Sequence, residues 1–309
     1  MLITDQGRQI AVSNLGWVDH GSLWRFDAAS SRAGHVRLSD AKHLALHDMG
    51  RDEFAAVHHF DGSRVEITAH SFASPADVLR RVIVTGWAPK VDDGLAPWPS
   101  AISHFVAWLN DRATGAAGYY LISVTGVDAV IARLDWFNAG SYDLDYQSVI
   151  AVREVPETGE LVFGVQRSSH LVVAPPAHSG AVRRVDLSGG HGNAVPYMRA
   201  NAPEVWAVDY DTLVRLDRRT WTVTGTIRLQ DAPPGTRMFA GDLWMPPDED
   251  FAVIPRPGCA DIAIIDPDTL TLARTVQTGR QPLVAVVLDG GRVIARDWKT
   301  GDLLRADLS

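Results

Sequence analysis

The sequence predicts an all-β chain, a β-propeller of about seven four-stranded blades around a central channel. Three observations predict it. Short runs of Val, Ile, Leu and aromatic residues recur along all 309 residues, divided by Gly, Pro, Asp and Asn. Helical periodicity is nearly absent. Matching positions return on the order of every 40 to 50 residues, which is the propeller period.

The clearest unit begins at Asp250. Phe251-Ala252-Val253-Ile254 reads as a strand closed by Pro255-Arg256-Pro257-Gly258. Asp261–Asp266 and Leu270–Val276 follow as two more, with turns at Pro267-Asp268-Thr269 and Thr278-Gly279, and Pro282–Leu288 opens the next unit. Closely spaced apolar strands with such turns read as hairpins. An earlier copy runs through Val205–Val208, Thr212–Asp217 and Thr222–Ile227. Third strands are expected to end in an apolar residue and Asp, as at Asp27, Asp135, Asp217 and Asp307. Such an Asp can accept hydrogen bonds from backbone N–H groups two residues on. Fourth strands end in Thr85-Gly86, Gly189-Gly190 or Thr278-Gly279, where glycine permits the bend toward the next blade. Blades are expected to start near residues 1, 42, 103, 147, 192, 238 and 281 in one domain spanning 1–309. The last either stays three-stranded or is completed by Leu2-Ile3-Thr4.

The Asp266-Pro267-Asp268-Thr269 turn, the Val276-Gln277-Thr278-Gly279 strand end and Pro282 resemble YVTN-type repeat propellers of the lactonase-like superfamily. The copies are degenerate, since Ala174-Pro175-Pro176 stands where the turn aspartate is expected. The resemblance implies blade geometry, and its members include lactonase-like enzymes and a lyase. Fold therefore leaves function to the site.

Composition narrows the partners. The net charge of −8 opposes phosphate backbones, and no basic run offsets it, so nucleic acid is not an expected partner. No apolar run is long enough for a membrane span. The lone Cys259 suits a reducing compartment, and Met1–Arg8 lack the pattern of a secretory signal, so the chain reads as cytoplasmic.

In a propeller the first strands line the channel, and the loops at one end converge on a concave mouth. Aligning the blades puts His43, His104, Ser148 and Asn193 at the channel mouth, with His191 just before. Asn14, His59, Arg167, Tyr210, Arg256 and Asp297 fall at second-strand ends, and His20, Asp61, His170 and Trp298 in adjoining loops. Converging neutral imidazoles could hold one divalent metal ion, with His43, His104 and His191 the nominated ligands. Arg167 and Arg256 could hold an anion. The alternative is that these are solvated loop residues at unrelated angles. Residues 86–103 exceed an ordinary connection, and Trp87 and Trp98 could cover a ligand, dock a partner protein, or simply fasten the loop. No GxSxG elbow is present, and Cys259 has no base assigned to it. Two functions stay open: a propeller that binds a small molecule or partner protein, and a hydrolase or lyase with a His/Arg-rich site.

Overall fold

The computed structural model describes residues 2–3, 9–13, 21–41, 43–50, 52–60, 64–89, 96–97, 104–126, 128–135, 149–155, 157–165, 169–175, 181–187, 195–197, 203–229, 241, 243–245, 250–288 and 291–308. They belong to two compact units, residues 1–140 and 141–309.

In the first unit, β1 (Leu2–Ile3), β2 (Gln9–Ser13), β3 (Ser22–Asp27) and β4 (Arg32–Arg37) form the first sheet. The second contains β5 (His43–Gly50), β6 (Glu53–Phe60), β7 (Arg64–Ser71) and β8 (Val78–Val84). The third contains β9 (Trp87–Pro89), β10 (Ala96–Pro97), β11 (His104–Asp111), β12 (Ala117–Thr125) and β13 (Asp128–Arg133).

In the second unit, the fourth sheet is β14 (Val149–Glu154), β15 (Leu161–Val165), β16 (His170–Ala174) and β17 (Arg183–Asp186). The fifth is β18 (Val195–Tyr197), β19 (Glu204–Asp209), β20 (Thr212–Asp217) and β21 (Val223–Arg228). The sixth is β22 (Ala252–Arg256), β23 (Asp261–Asp266) and β24 (Thr271–Gln277), with Trp244 bridged to Val253. The seventh is β25 (Pro282–Leu288), β26 (Arg292–Asp297) and β27 (Leu303–Asp307). These antiparallel sheets are those of a β-propeller.

Burial follows strand position. β15, β16 and β22 are buried at every residue, whereas β17, β21 and β24 are largely exposed. An inner strand is covered on both faces, so both sets of its alternating side chains are mostly apolar. In the second sheet, Ala55 and Val57 face the third, while Phe54 and Ala56 face the first. The last strand of every sheet carries arginine: Arg32 and Arg37, Arg80 and Arg81, Arg133, Arg183 and Arg184, Arg228, Arg274, and Arg305. Charge on an open edge disfavours further strand addition.

The expected aspartate turns form. Asp27, Asp217, Asp266 and Asp297 each accept hydrogen bonds from backbone N–H groups two or three residues on. Asp111 does the same with Ala113 N–H, at 2.9 Å. Asp135 is a correction, because it follows the outermost strand β13, whereas Asp307 ends β27, the third described strand of its sheet. Gly86 and Gly279 have φ of 84° and 63°, the conformation the bend requires. Leu2–Ile3 pairs with β2, so it completes the first sheet, and the seventh is three-stranded among the described residues.

The segment 86–103 is also corrected. Trp87, Ala88 and Pro89 pair with Asp111, Asn110 and Leu109, and Ala96 and Pro97 pair with Val106 and Phe105. Its described residues are strands of the third sheet, since an open edge of β11 satisfies their backbone groups. The third sheet therefore starts before residue 103.

Candidate functional site

The nominated residues fall in three groups. Arg167, His191 and Trp98 lie outside the described residues, as do Asn14, His20, Asp61, Ser148 and Asn193. His43 on β5 stands opposite His59 on β6 in the register of the second sheet. His104, Trp87, His170, Arg256 and Asp297 have described surroundings.

His104 begins β11, an interior strand opposite Ser123 on β12, rather than a first strand. Two earlier strands pair with β11, and the sequence spacing hid them because both are short and contain proline. Trp87 is half-buried, with its ring 4.7 Å from that of Tyr120 in an edge-on contact. It fastens its own sheet. His170 begins β16 and is buried, which corrects its expected place in a loop. Burial, followed by nearby Arg184, pushes its imidazole down to about 4, so it is neutral at pH 7.

Arg256 and Asp297 do sit at strand ends, but their polar atoms face inward. Arg256 Nε and Nη2 donate to the two carboxylate oxygens of Asp261 at 2.7 and 2.6 Å, a bidentate pair across β22 and β23. Its Nη1 donates to Leu229 O, tying the sixth sheet to the end of the fifth. Asp297 accepts from the backbone N–H groups of Gln281, Lys299 and Thr300. Burial acts to raise its pKa, and these donors outweigh it and hold the carboxyl below its ordinary range. Both residues hold loops together.

A connected polar group runs through the second sheet. Ser39 Oγ lies 2.7 Å from His58 Nδ1, His58 Nε2 lies 2.7 Å from Thr68 Oγ1, and Thr68 Oγ1 lies 2.6 Å from His70 Nε2. Ser39 belongs to the connection between the first and second sheets. Gly21 O accepts from Leu38 and Ser39 N–H, and a Cβ on Gly21 would stand 1.8 Å from Ser39 O. Glycine is required there for this close approach. His58, Thr68 and His70 are buried, and the His70 ring stacks on Phe54 at 5.2 Å. Burial, then the neighbouring His70 and Arg81, pushes His58 down to about 4. Burial also lowers His70, against the backbone of Asp77 and Pro75. Each neutral imidazole offers one N–H and one lone pair, so the chain runs consistently in either direction.

Sequence reasoning nominated His59 but not its neighbour His58. The missed signal is parity. His58, with Thr68 and His70 spaced two apart on β7, places three polar side chains on one face of a strand pair.

The second feature is an apolar cleft of about 60 Å³ between the second and third sheets. Met49, Ile67, Val82, Phe105 and Val124 line it, with Arg80. Val78, Leu79 and Ile83 on β8 are 42, 49 and 50 % exposed, and Val130 on β13 is 59 % exposed. These are four of the six exposed large hydrophobic residues among those described. Val78 and Ile83 pair with His70 and Glu66, on the face of the second sheet turned from the cleft, and Val130 pairs with Ser123, on the face of the third turned from it. Arg80 pairs with Glu53 at 2.5 Å, and Arg81 with Glu66 at 2.9 Å. Among the described residues no three His, Cys, Asp or Glu side chains are grouped to hold a metal ion. Among them, too, no helix is long and apolar enough to cross a membrane.

Comparison with solved structures places the chain among the β-propellers. A Lactobacillus plantarum protein matches with a TM-score of 0.70 at 13% identity, covering 97% of this chain and 92% of that one. The β-propeller domain of Myceliophteria thermophila Cps50 (Swd1) matches with 0.69 at 12% identity, covering 100% and 96%. The Pseudomonas aeruginosa periplasmic gluconolactonase PpgL matches with 0.64 at 14% identity, covering 96% and 93%. No protein-family model and no curated protein matches the chain.

Proposed function

We propose that the protein is a binding propeller that holds a partner protein or small ligand, with its seven sheets acting as seven blades of one domain, residues 1–309. One contrast carries this reading. The described polar candidates Arg256, Asp297 and His170 are turned to internal bonds or buried, while Val78, Leu79, Ile83 and Val130 stand exposed on the outermost strands β8 and β13. Exposed apolar side chains on a single outer strand, here three on β8, mark a candidate interaction surface. Half-exposed Arg80 and Arg81, whose acidic partners lie inward on β6 and β7, favour a partner that brings carboxylates beside its apolar side chains.

The test is selection of random displayed peptides on the wild-type protein and on the double variant Leu79→Lys/Ile83→Lys, each checked for folding by circular dichroism. Acidic–apolar peptides retained by the wild type alone support the surface. Peptides held equally by both move binding away from β8. Failure to enrich any peptide removes protein binding.

A catalytic reading has one specific observation in its favour, the Ser39–His58 contact of 2.7 Å, together with the fold likeness to a gluconolactonase. Its difficulty is electrostatic. A serine nucleophile transfers its proton to the imidazole, and His70 and Arg81 make a charged His58 costly. Aldonolactone turnover that disappears in His58→Gln, or on chelation of a divalent metal, would replace the binding reading. A cytoplasmic setting suits the single cysteine, although PpgL is periplasmic.

A further inference from the structure

We propose that the Ser39–His58–Thr68–His70 chain is a proton-operated latch, holding the first and second sheets together when uncharged and releasing their seam when protonated. The inference is independent of which function the propeller serves.

The chain crosses from the inter-sheet connection at Ser39 into the middle of the second sheet. Around it the seam is apolar: Ala11 and Leu23 from the first sheet and Phe54, Ala56 and Phe72 from the second are buried, with Val36, Leu38 and Leu46 packed against them. A proton added to His58 or His70 therefore places a cation among hydrocarbon side chains, which is costly.

Charged groups at the site come from two strands, β7 and β8. Glu66 on β7 stands opposite His58 on β6 in register, but Arg81 on β8 and Arg64 on β7 already share its carboxylate, at 2.9 and 3.7 Å. Both arginines oppose a further cation. His58 and His70 also oppose each other, because each contacts the same Thr68 hydroxyl.

The sign follows from the neutral state of the folded rings. Once the seam opens, the imidazoles return to their ordinary value near 6.5, against about 4 for folded His58. The open state binds more protons between these limits, so through His58 closure weakens as pH falls from 6.5 toward 4, and His70, also lowered by burial, acts in the same direction. The effect is local because only this seam contains the chain.

Amide hydrogen exchange read by mass spectrometry tests it on the intact protein. Between pH 7 and 4.5, after correction for intrinsic rates, exchange in β2, β3, β5 and β6 should rise about a hundredfold, two decades below the free imidazole value. The sixth and seventh sheets should keep their protection. In His58→Gln/His70→Gln the rise should vanish. An equal rise in that variant, or loss of protection throughout the chain at one pH, overturns the latch. Should the variant fail to fold, deuterium exchange at the imidazole C2 of wild-type protein reads the rings directly. Titration of His58 near 6.5 overturns the latch, and titration near 4 supports it.

Discussion

The two compact units join their sheets by different chemistry. Among the described residues of 1–140, the side-chain tie at a seam joins a hydroxyl to a neutral imidazole, Ser39 to His58, and continues inside the second sheet through Thr68 and His70. Among those of 141–309 the ties are mostly guanidiniums. Arg215 donates to the carbonyls of Pro267 and Asp268 at 3.2 and 2.7 Å, from the fifth sheet to the sixth. Arg256 reaches Leu229 O, Arg274 reaches Leu308 O, and Arg218 pairs with Glu157. Tyr197 adds a neutral bond to Met245 O at 2.5 Å. A neutral chain is cheaper to bury but fails when a member changes protonation. An arginine keeps its charge at any working pH, yet strands a costly charge if its partner is removed.

The largest effect should come from Asp261→Ala, which leaves Arg256 buried beside an empty space. A loss of about 3–5 kcal/mol is expected in urea unfolding. The double change Arg256→Met/Asp261→Leu should recover most of it. If it does not, the pair is more than a seam tie, and the contrast between units breaks.

Acid sharpens the comparison next. His170 is the imidazole exception within the second unit, buried with its folded value lowered to about 4. Its stabilisation is complete above pH 6.5 and is lost as pH falls toward 4, by about 2–3 kcal/mol. Urea midpoints measured from pH 7 to 4 should flatten in His170→Leu by that amount. An unchanged slope would show that the ring is charged or solvated.

Thr68→Val keeps the shape but deprives two buried imidazoles of their shared hydroxyl, and should cost about 2 kcal/mol in thermal or urea unfolding. Thr68→Ser should restore it. The smallest effect is expected for Arg215→Met, about 1 kcal/mol, because the released carbonyls belong to an exposed turn and water replaces the donor. A loss as large as that of Asp261→Ala would mean that carbonyl ties, rather than the ion pair, hold the second unit together.

Much of the fold was legible. Asp250–Leu288 announces its strands through apolar runs cut by Pro-Asp-Thr and Thr-Gly, and they lie where local pattern puts them. Asp217 and Asp266 form their turns because an aspartate and the N–H groups beyond it are neighbours in the chain. β9 and β10 were not legible. Strands of three and two residues carrying proline have no period to read, and they exist only because β11 offers an edge.

The site divides along the same line. Residue types at strand ends, such as Arg256 and Asp297, could be nominated from spacing. Their bonds could not, because Leu229 lies 27 residues from Arg256 and Gln281 lies 16 from Asp297. The sequence by itself determined the all-β class, the positions of its local turns and the alternation of strand faces, since all depend on neighbouring residues. Tertiary structure alone decided that His58 meets Ser39 and His70, that Arg256 closes on Asp261 and Leu229, and that β8 leaves Val78, Leu79 and Ile83 uncovered. Those outcomes depend on which sheet packs on which, a long-range choice that no local pattern encodes.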